Sequence, residues 1–364
     1  MDDVKRQLAE LRAAIDDLDR RILELLNERA GLARRVGEIK REAGARFYAP
    51  GREEDLLRRL EQANPGPFPN AAVRAVWREI ISASLALEAP MSVAYLGPPA
   101  TFTHQAALRR FGESARLEPA RTIGEVFERV EKGKVAYGVI PVENTTEGVV
   151  SHTLDMFLRS ELKIVAEVYL RVTHHLLNRS GRLGDVERIY SHPHAVAQCR
   201  GWLETHLAEV PVFDAASTAQ AAKIASEDPG AAAIAAEVAA QAYGLRVVES
   251  RIEDNPNNFT RFLVIGPEIP DPSGRDKTSV VFAVRDEVGA LYRMLQPFFE
   301  HGVNLTKIES RPMPDEAWQY VFFTDCEGHA TEPGVRAALE ELRSRCRFLR
   351  VLGSYPQGSL PRAR

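Results

Sequence analysis

Between residues 4 and 42 the apolar side chains Leu8, Leu11, Ile15, Leu18, Ile22, Leu25, Leu26, Leu32, Val36 and Ile39 recur mostly at three- and four-residue steps. That is the spacing of one helix face. At 1.5 Å per residue the helix is about 58 Å long. The following sequence offers it two shorter helices. "PGREEDLLRRLEQA" opens with Pro50 and has acids in its first turn, as helix starts do. "NPGPFPN" (64–70) breaks it, and a third helix is expected from about Ala71 to Glu88. Two short helices cannot cover so long a stripe, so a partner chain is expected to cover the rest. Residues 1–90 are read as an all-α domain.

After "EAPM" (88–91) the period changes. "SVAYLG", "AYGVIPV", "RIYS", "AAAIA" and "RFLVIG" are strands separated by helical segments, so residues 91–268 are read as an α/β domain. "GPEIPDPSGRDK" (266–277) is a Pro- and Gly-rich linker. Over 277–356 the pattern is β-α-β-β-α-β: "TSVVFAVRD", "GALYRMLQPFFEHG", "NLTKIESRPM", "WQYVFFTDCEG", "EPGVRAALEELRSRC" and "RFLRVLGSY". That order is the ferredoxin-like plan. The tail "PQGSLPRAR" is expected to be disordered.

Composition narrows the chemistry. A net charge of −4 supplies no global basic field for nucleic acid. No apolar run reaches the roughly 20 residues that cross a bilayer. Cys199, Cys326 and Cys346 form no C-x-x-C, which fits a reduced, cytoplasmic setting. His174–His175 and His192–Pro193–His194 lack the helical spacing and acidic partner of a metal site. No G-x-S-x-G elbow is present, and no G-x-G-x-x-G follows a strand, which argues against a bound NAD; no metal is expected.

In the helical domain, Arg29 and Lys40 are 11 residues apart, which returns them to one helix face. Arg52 and Glu53 open the second helix, and Ser84 and Glu88 are an i,i+4 pair on the third. Singly, each reads best as part of a solvated charged face. Together, "LRAAIDDLDRRILELLNERAGLARRVGEIK", "REEDLL" and "IISASLALE" resemble the AroQ class of chorismate mutase over residues 4–88. The resemblance implies an interlocked dimer in which Arg12 crosses into the partner's site. It implies that Arg29 and Arg52 clamp the carboxylates of chorismate and that Lys40 donates to the ether oxygen. Glu53 would hold the ring hydroxyl and Ser84 a carboxylate. A Claisen rearrangement transfers no proton, so placed cations and donors suffice. The chain departs from many relatives at Ala49, where Asp is common, and at Glu88, where Gln is common. An ionised Glu88 would repel the developing oxyanion, so mutase activity is expected to fall as pH rises.

Four polar stretches stand at strand-to-loop corners of the α/β domain: "GPPATFTHQAA" (97–107), "PVENTTEG" (141–148), "SHPHAVAQC" (191–199) and "NNFTRF" (257–262). In open α/β sheets such corners line the ligand crevice. Each could also be only a cap or turn, with Thr103 the expected helix cap. As a set they resemble prephenate dehydratase over residues 92–266. The resemblance implies two α/β lobes around a cleft, like a periplasmic binding protein, with the first lobe at about 92–167 and 249–266. It implies that carbon dioxide and the ring hydroxyl leave prephenate as the ring aromatises. Thr260 would hydrogen-bond the leaving hydroxyl. Thr103, Asn144, Thr145, Ser191, Gln198 and Phe259 would bind or orient substrate, and Arg261 would pair with a carboxylate or with a neighbouring acid. Glu143 is a weaker acid candidate.

"GALY" (289–292) and "ESRP" (309–312) in the last segment read by themselves as a turn glycine and a charged strand end. They resemble the ACT regulatory domain of prephenate dehydratases. The resemblance implies that Gly289, Ala290, Leu291, Glu309, Ser310, Arg311 and Pro312 bind the effector L-phenylalanine at a dimer interface. Tyr292 replaces a smaller apolar residue there. The whole chain thus resembles the P-protein family, with chorismate and prephenate as substrates and a homodimer or higher homo-oligomer as the assembly. Arogenate dehydration and a non-catalytic amino-acid-binding sensor are the alternatives.

Overall fold

The computed structural model describes residues 2–284, 287–313 and 320–360. The expected strand ends "RD" (285–286) and "WQ" (318–319) and the final "PRAR" lie outside the described residues. The chain divides into two compact units. The first comprises residues up to Ala49, Leu56–Met91 and Phe111–Arg116; the second comprises Pro50–Asp55, Ser92–Arg110 and Leu117 onward. Residues 50–55, expected within the helical domain, therefore fall in the second unit. There Glu53 pairs with Arg110 at 2.9 Å. Residues 111–116 fall in the first, where the Ser114 N–H donates to Ser82 Oγ (3.2 Å) and the Glu113 N–H to Glu79 Oε2 (3.0 Å).

Three helices appear as the periodicity demands: α1 (Asp2–Glu42), α2 (Pro50–Ala63) and α3 (Asn70–Glu88). The α1 helix packs on α3 at Gly37, where a Cβ would stand 2.8 Å from the Glu88 Cα. The absent side chain lets the two backbones approach. Most of the α1 stripe stays open to solvent, including Leu11, Ile15, Ile22, Leu25 and Ile39.

In the second unit, β1 (Ser92–Leu96), α4 (Phe102–Phe111), β2 (Arg116–Ala120), α5 (Ile123–Glu131), β3 (Tyr137–Asn144), β4 (Gly148–Val149), α6 (Ser151–Arg159) and β5 (Lys163–Arg171) build the first lobe. The second lobe holds β6 (His175–Asn178), β7 (Arg188–Ser191), α7 (Pro193–Gln198), α8 (Arg200–His206), β8 (Val212–Asp214), α9 (Thr218–Glu227), β9 (Ala231–Ala235), α10 (Glu237–Tyr243) and β10 (Arg246–Glu249). Then β11 (Phe259–Gly266) returns to the first sheet, between β3 and β5, giving the order β2-β1-β3-β11-β5 with β4 beside β3. The second sheet runs β10-β6-β9-β7-β8. Because β5 continues to Arg171 in the first sheet, the chain crosses after 171 rather than after 167. The two crossings run side by side: the Val172 N–H donates to the Asn258 carbonyl (2.8 Å) and the Ile252 N–H to the His174 carbonyl (2.9 Å). The sequence does not announce β2, β4, β5, β6, β8 and β10. Several of these are only two to four residues long, too short to show a period.

The last segment forms β12 (Asp276–Ala283), α11 (Ala290–Glu300), β13 (Leu305–Pro312), β14 (Tyr320–Glu327), α12 (Pro333–Arg345) and β15 (Phe348–Pro356), in sheet order β13-β14-β12-β15. Its β12 strand is buried along its whole length because both faces are covered. Val281 and Ala283 join the core of the first lobe, whereas Val280 and Phe282 join Met294, Phe298, Leu339 and Leu342 of the two helices. Strand period two produces that division. At Gly353 a Cβ would lie 2.2 Å from the Ile164 carbonyl oxygen, so β15 passes directly over β5. The first tail residues are held rather than disordered: the Gln357 N–H donates to the Arg275 carbonyl (2.9 Å) and the Gly358 N–H to Glu167 Oε1 (2.9 Å).

Candidate active sites

The β3 and β11 strands are antiparallel, with Thr260 opposite Asn144. The Asn144 Oδ1 accepts from the backbone N–H groups of Thr146 (2.8 Å) and Glu147 (2.9 Å). Backbone N–H groups can only donate, so the other arm of that amide must be its NH2. It donates to Thr260 Oγ1 (2.8 Å) and to Asn258 Oδ1 (2.7 Å). Asn258 in turn donates to Gln198 Oε1 (3.0 Å), and Gln198 Nε2 donates to Glu147 Oε1 (3.1 Å). His194 Nδ1 lies 3.1 Å from the same oxygen. One hydrogen-bond chain therefore joins Thr260, Asn144 and Gln198 across the two lobes. Thr260 Oγ1 accepts within it, which leaves its own proton available to an outside acceptor.

Other sequence candidates take different places. Thr145 lies in a paired corner: its Oγ1 accepts from the Phe259 N–H (2.9 Å) and its N–H donates to the Phe259 carbonyl (2.9 Å). Ser191 is fully buried and donates to the Ile234 carbonyl (2.7 Å), outside the chain of amides. Thr103 is not the helix cap. Helix α4 begins at Phe102, and Thr101 Oγ1 accepts from the His104 N–H (3.3 Å), leaving Thr103 buried within the first turn.

Arg261 follows Thr260 on β11 and therefore points to the opposite face. It is buried there, donating to Glu167 Oε2 (2.8 Å), Asp325 Oδ2 (2.6 Å) and the Tyr355 hydroxyl (2.9 Å). Lys277 Nζ adds two 2.9 Å bonds to Glu167. Burial opposes the charge on Asp325, but Arg261 and the Ser279 hydroxyl outweigh it and hold the carboxyl below its ordinary value. Of the two readings of Arg261 in the sequence, the structure has the neighbouring acids. Glu143, on the same face, pairs with Lys307 of β13.

In the helical unit, Arg29 of α1 donates to Ser84 of α3, and Lys40 Nζ donates to Glu88 Oε2 at 2.8 Å. The 11-residue spacing on α1 thus meets the four-residue spacing on α3. Lys40 also donates to the Phe47 carbonyl (3.1 Å). Arg12 is exposed, and at 1.5 Å per residue it stands about 26 Å along α1 from Arg29. Arg52 and Glu53 belong to the second unit, where Arg52 is exposed and Glu53 is held by Arg110. Among the described residues no group of His, Cys, Asp or Glu is arranged to hold a metal ion, and no helix is long and apolar enough to cross a membrane.

Three family models match the chain in order: chorismate mutase type II over residues 11–89, prephenate dehydratase over 93–270 and the ACT domain over 278–344. A bifunctional chorismate mutase/prephenate dehydratase of Aquifex aeolicus (strain VF5) is 52% identical over 358 residues, covering 97% of this chain and 99% of its own length. The chain belongs to the bifunctional chorismate mutase/prephenate dehydratase family. Among solved structures, the prephenate dehydratase of Arthrobacter aurescens in complex with L-Phe matches with TM-score 0.68 at 38% identity, over 73% of this chain and 90% of that one. GqqA, described as a novel type of quorum quenching acylase, matches with TM-score 0.67 at 31% identity, over 73% of this chain and 97% of its own.

In this family member the stretches "GALY" and "ESRP" stand at one end of the last sheet. Both β12 and β13 pair antiparallel with β14, so they run in the same direction. Gly289 follows the end of β12 and Pro312 ends β13. Gly289 adopts φ +76° at the N-cap of α11, a conformation glycine tolerates at little cost. Ala290 is buried, Leu291 and Tyr292 are exposed, and Glu309 and Arg311 alternate with exposed Ser310 and Pro312. Arg311 pairs with Asp155 at 3.0 Å. Asn258 and Glu147 lie within the polar corners "NNFTRF" and "PVENTTEG" but are not singled out there as site residues, and His174 is weighed in the sequence only as a metal ligand.

Proposed function

We propose that residues 1–90 rearrange chorismate to prephenate and that residues 91–268 convert prephenate to phenylpyruvate, an isomerase and a lyase in one chain. Residues 277–356 sense L-phenylalanine and lower the second activity. The observation that carries the dehydratase reading is the directional chain ending on Thr260. Because Asn144 donates to Thr260 Oγ1, the threonine proton is presented outward, toward the hydroxyl that leaves as water. A hydrogen bond to that oxygen stabilises charge as it develops, while loss of carbon dioxide feeds electrons into the ring. Gln198, Thr145 and Phe259 orient the substrate. An acylase role would need Thr260 as a nucleophile with a base beside it. Its partner is an amide NH2, which accepts no proton, so the donor role is favoured.

In the mutase, Arg29, Lys40 and Ser84 converge on one α1–α3 face and Arg12 serves the site of a second chain. The open apolar stripe of α1 supports a homodimer or higher homo-oligomer. The chain acts in the cytoplasm without a cofactor. L-phenylalanine binds through Gly289–Leu291 and Glu309–Pro312. The contacts Arg261–Asp325 and Lys307–Glu143 link the sensor sheet to strands carrying Thr260 and Asn144.

A coupled assay from chorismate, with and without millimolar L-phenylalanine, tests the whole reading. Phenylpyruvate forms, its rate drops with the effector, and Thr260→Ala stops at prephenate. A chain that binds an amino acid yet forms no aromatic product would be a sensor only. Faster turnover of arogenate than of prephenate would move the assignment to arogenate dehydration.

A further inference from the structure

His174 stands on the first crossing between the lobes and is 2% exposed. Its Nε2 lies 2.8 Å from Gln198 Oε1. The amide directions already derived decide what that contact is. Two backbone N–H groups fix Asn144; Asn144 then requires the oxygen of Asn258, and Asn258 requires the oxygen of Gln198. Oε1 is an acceptor only, so His174 must carry its proton on Nε2. Burial holds the imidazole pKa below its ordinary value, although the Gln198 contact and Glu253 pull the other way. The ring is therefore neutral, with a bare Nδ1 that is buried and has no hydrogen-bond partner among the described residues.

We infer that His174 is a positioning residue for the dehydratase: its Nε2–H holds Gln198 by the carbonyl oxygen and so turns the Gln198 NH2 toward Glu147. With one donor on Oε1 instead of two, Asn258 alone still sets the direction of the Gln198 amide but holds it less firmly. The inference rests on the dehydratase reading above, in which Gln198 orients substrate. The backbone supports the ring independently: the His174 N–H donates to Glu253 Oε2 (2.9 Å), its carbonyl accepts from Ile252, and Phe102 packs edge-on at 5.8 Å.

The test uses the full chain with prephenate as substrate and mutase activity as the internal control for folding. His174→Phe keeps the packing and lacks the donor; kcat/KM for prephenate is expected to fall about tenfold, the scale of one lost hydrogen bond. His174→Gln, whose amide nitrogen reaches the Nε2 position, is expected to stay within about threefold of wild type. In a Gln198→Ala background, His174→Phe should cost nothing further, since the residue acts through Gln198. Equal failure of the Gln and Phe variants, or an additive loss on top of Gln198→Ala, overturns the inference, as does a His174→Phe enzyme of wild-type rate. A wild-type chain inactive on prephenate would instead defeat the dehydratase reading itself.

Discussion

Replacing Arg261 by Met separates a structural guanidinium from a substrate ligand. The side chain is buried and makes three hydrogen bonds, at 2.8, 2.6 and 2.9 Å, to Glu167, Asp325 and Tyr355. In Arg261→Met, Glu167 keeps Lys277, whereas Asp325 keeps the Ser279 hydroxyl (2.5 Å) and the field of Lys277 but loses its guanidinium. Removing one member of a buried pair typically costs about 3–5 kcal/mol, because the other charge stays uncompensated. For a unit of this size roughly 2–4 °C of Tm accompanies each kcal/mol, so a drop of about 6–20 °C is expected. The pH dependence should also change. In the wild type the depressed Asp325 pKa contributes stability above the ordinary value of 3.8, lost as pH falls through the folded value. Without its counter-ion the buried carboxyl prefers its neutral form, so the variant should lose stability as pH rises. Arg261→Met/Asp325→Asn should recover part of the loss. Thermal unfolding of the full chain across pH, with KM for prephenate measured in parallel, reads both effects. An unchanged Tm with a KM raised tenfold or more would show that Arg261 meets substrate instead.

Three other perturbations test separate parts of the structure. Glu88→Gln releases Lys40 from its 2.8 Å ion pair and supplies a donor, so kcat/KM for chorismate should rise roughly tenfold at pH 8; an unchanged or lower value refutes that use of Lys40. Burial lowers the pKa values of His104, His174 and His175 from 6.5. The unfolded chain then binds more protons just below that value, so stability should climb between about pH 5 and 7; a urea-unfolding midpoint flat over that range contradicts it. Gly353→Ala drives a Cβ into the Ile164 carbonyl and should loosen the sensor sheet, abolishing inhibition by L-phenylalanine while mutase turnover persists; retained inhibition would count against tight β15–β5 packing.

Sequence period carried much of the fold. The three- and four-residue steps of α1 announce a helix face, and the short apolar run of β12 announces a buried strand. The crossing point after Arg171 was not legible, because an apolar run such as "KIVAEVYLR" does not say which sheet receives it. The candidate site divides in the same way. Thr260 and Asn144 were available as polar residues at strand ends and Gln198 on the short helix after one, whereas Asn258, Glu147 and His174 join them only through the long-range register of β3 with β11 and the paired crossings. Arg261 shows the limit most clearly. Its neighbour Thr260 made it resemble a substrate ligand, but alternation along β11 turns it away, onto acids far along the chain. The sequence alone determined the element types and the polar residues available. Only the tertiary structure decided which of those side chains share a face, because strand order and register bring together residues that local sequence keeps apart.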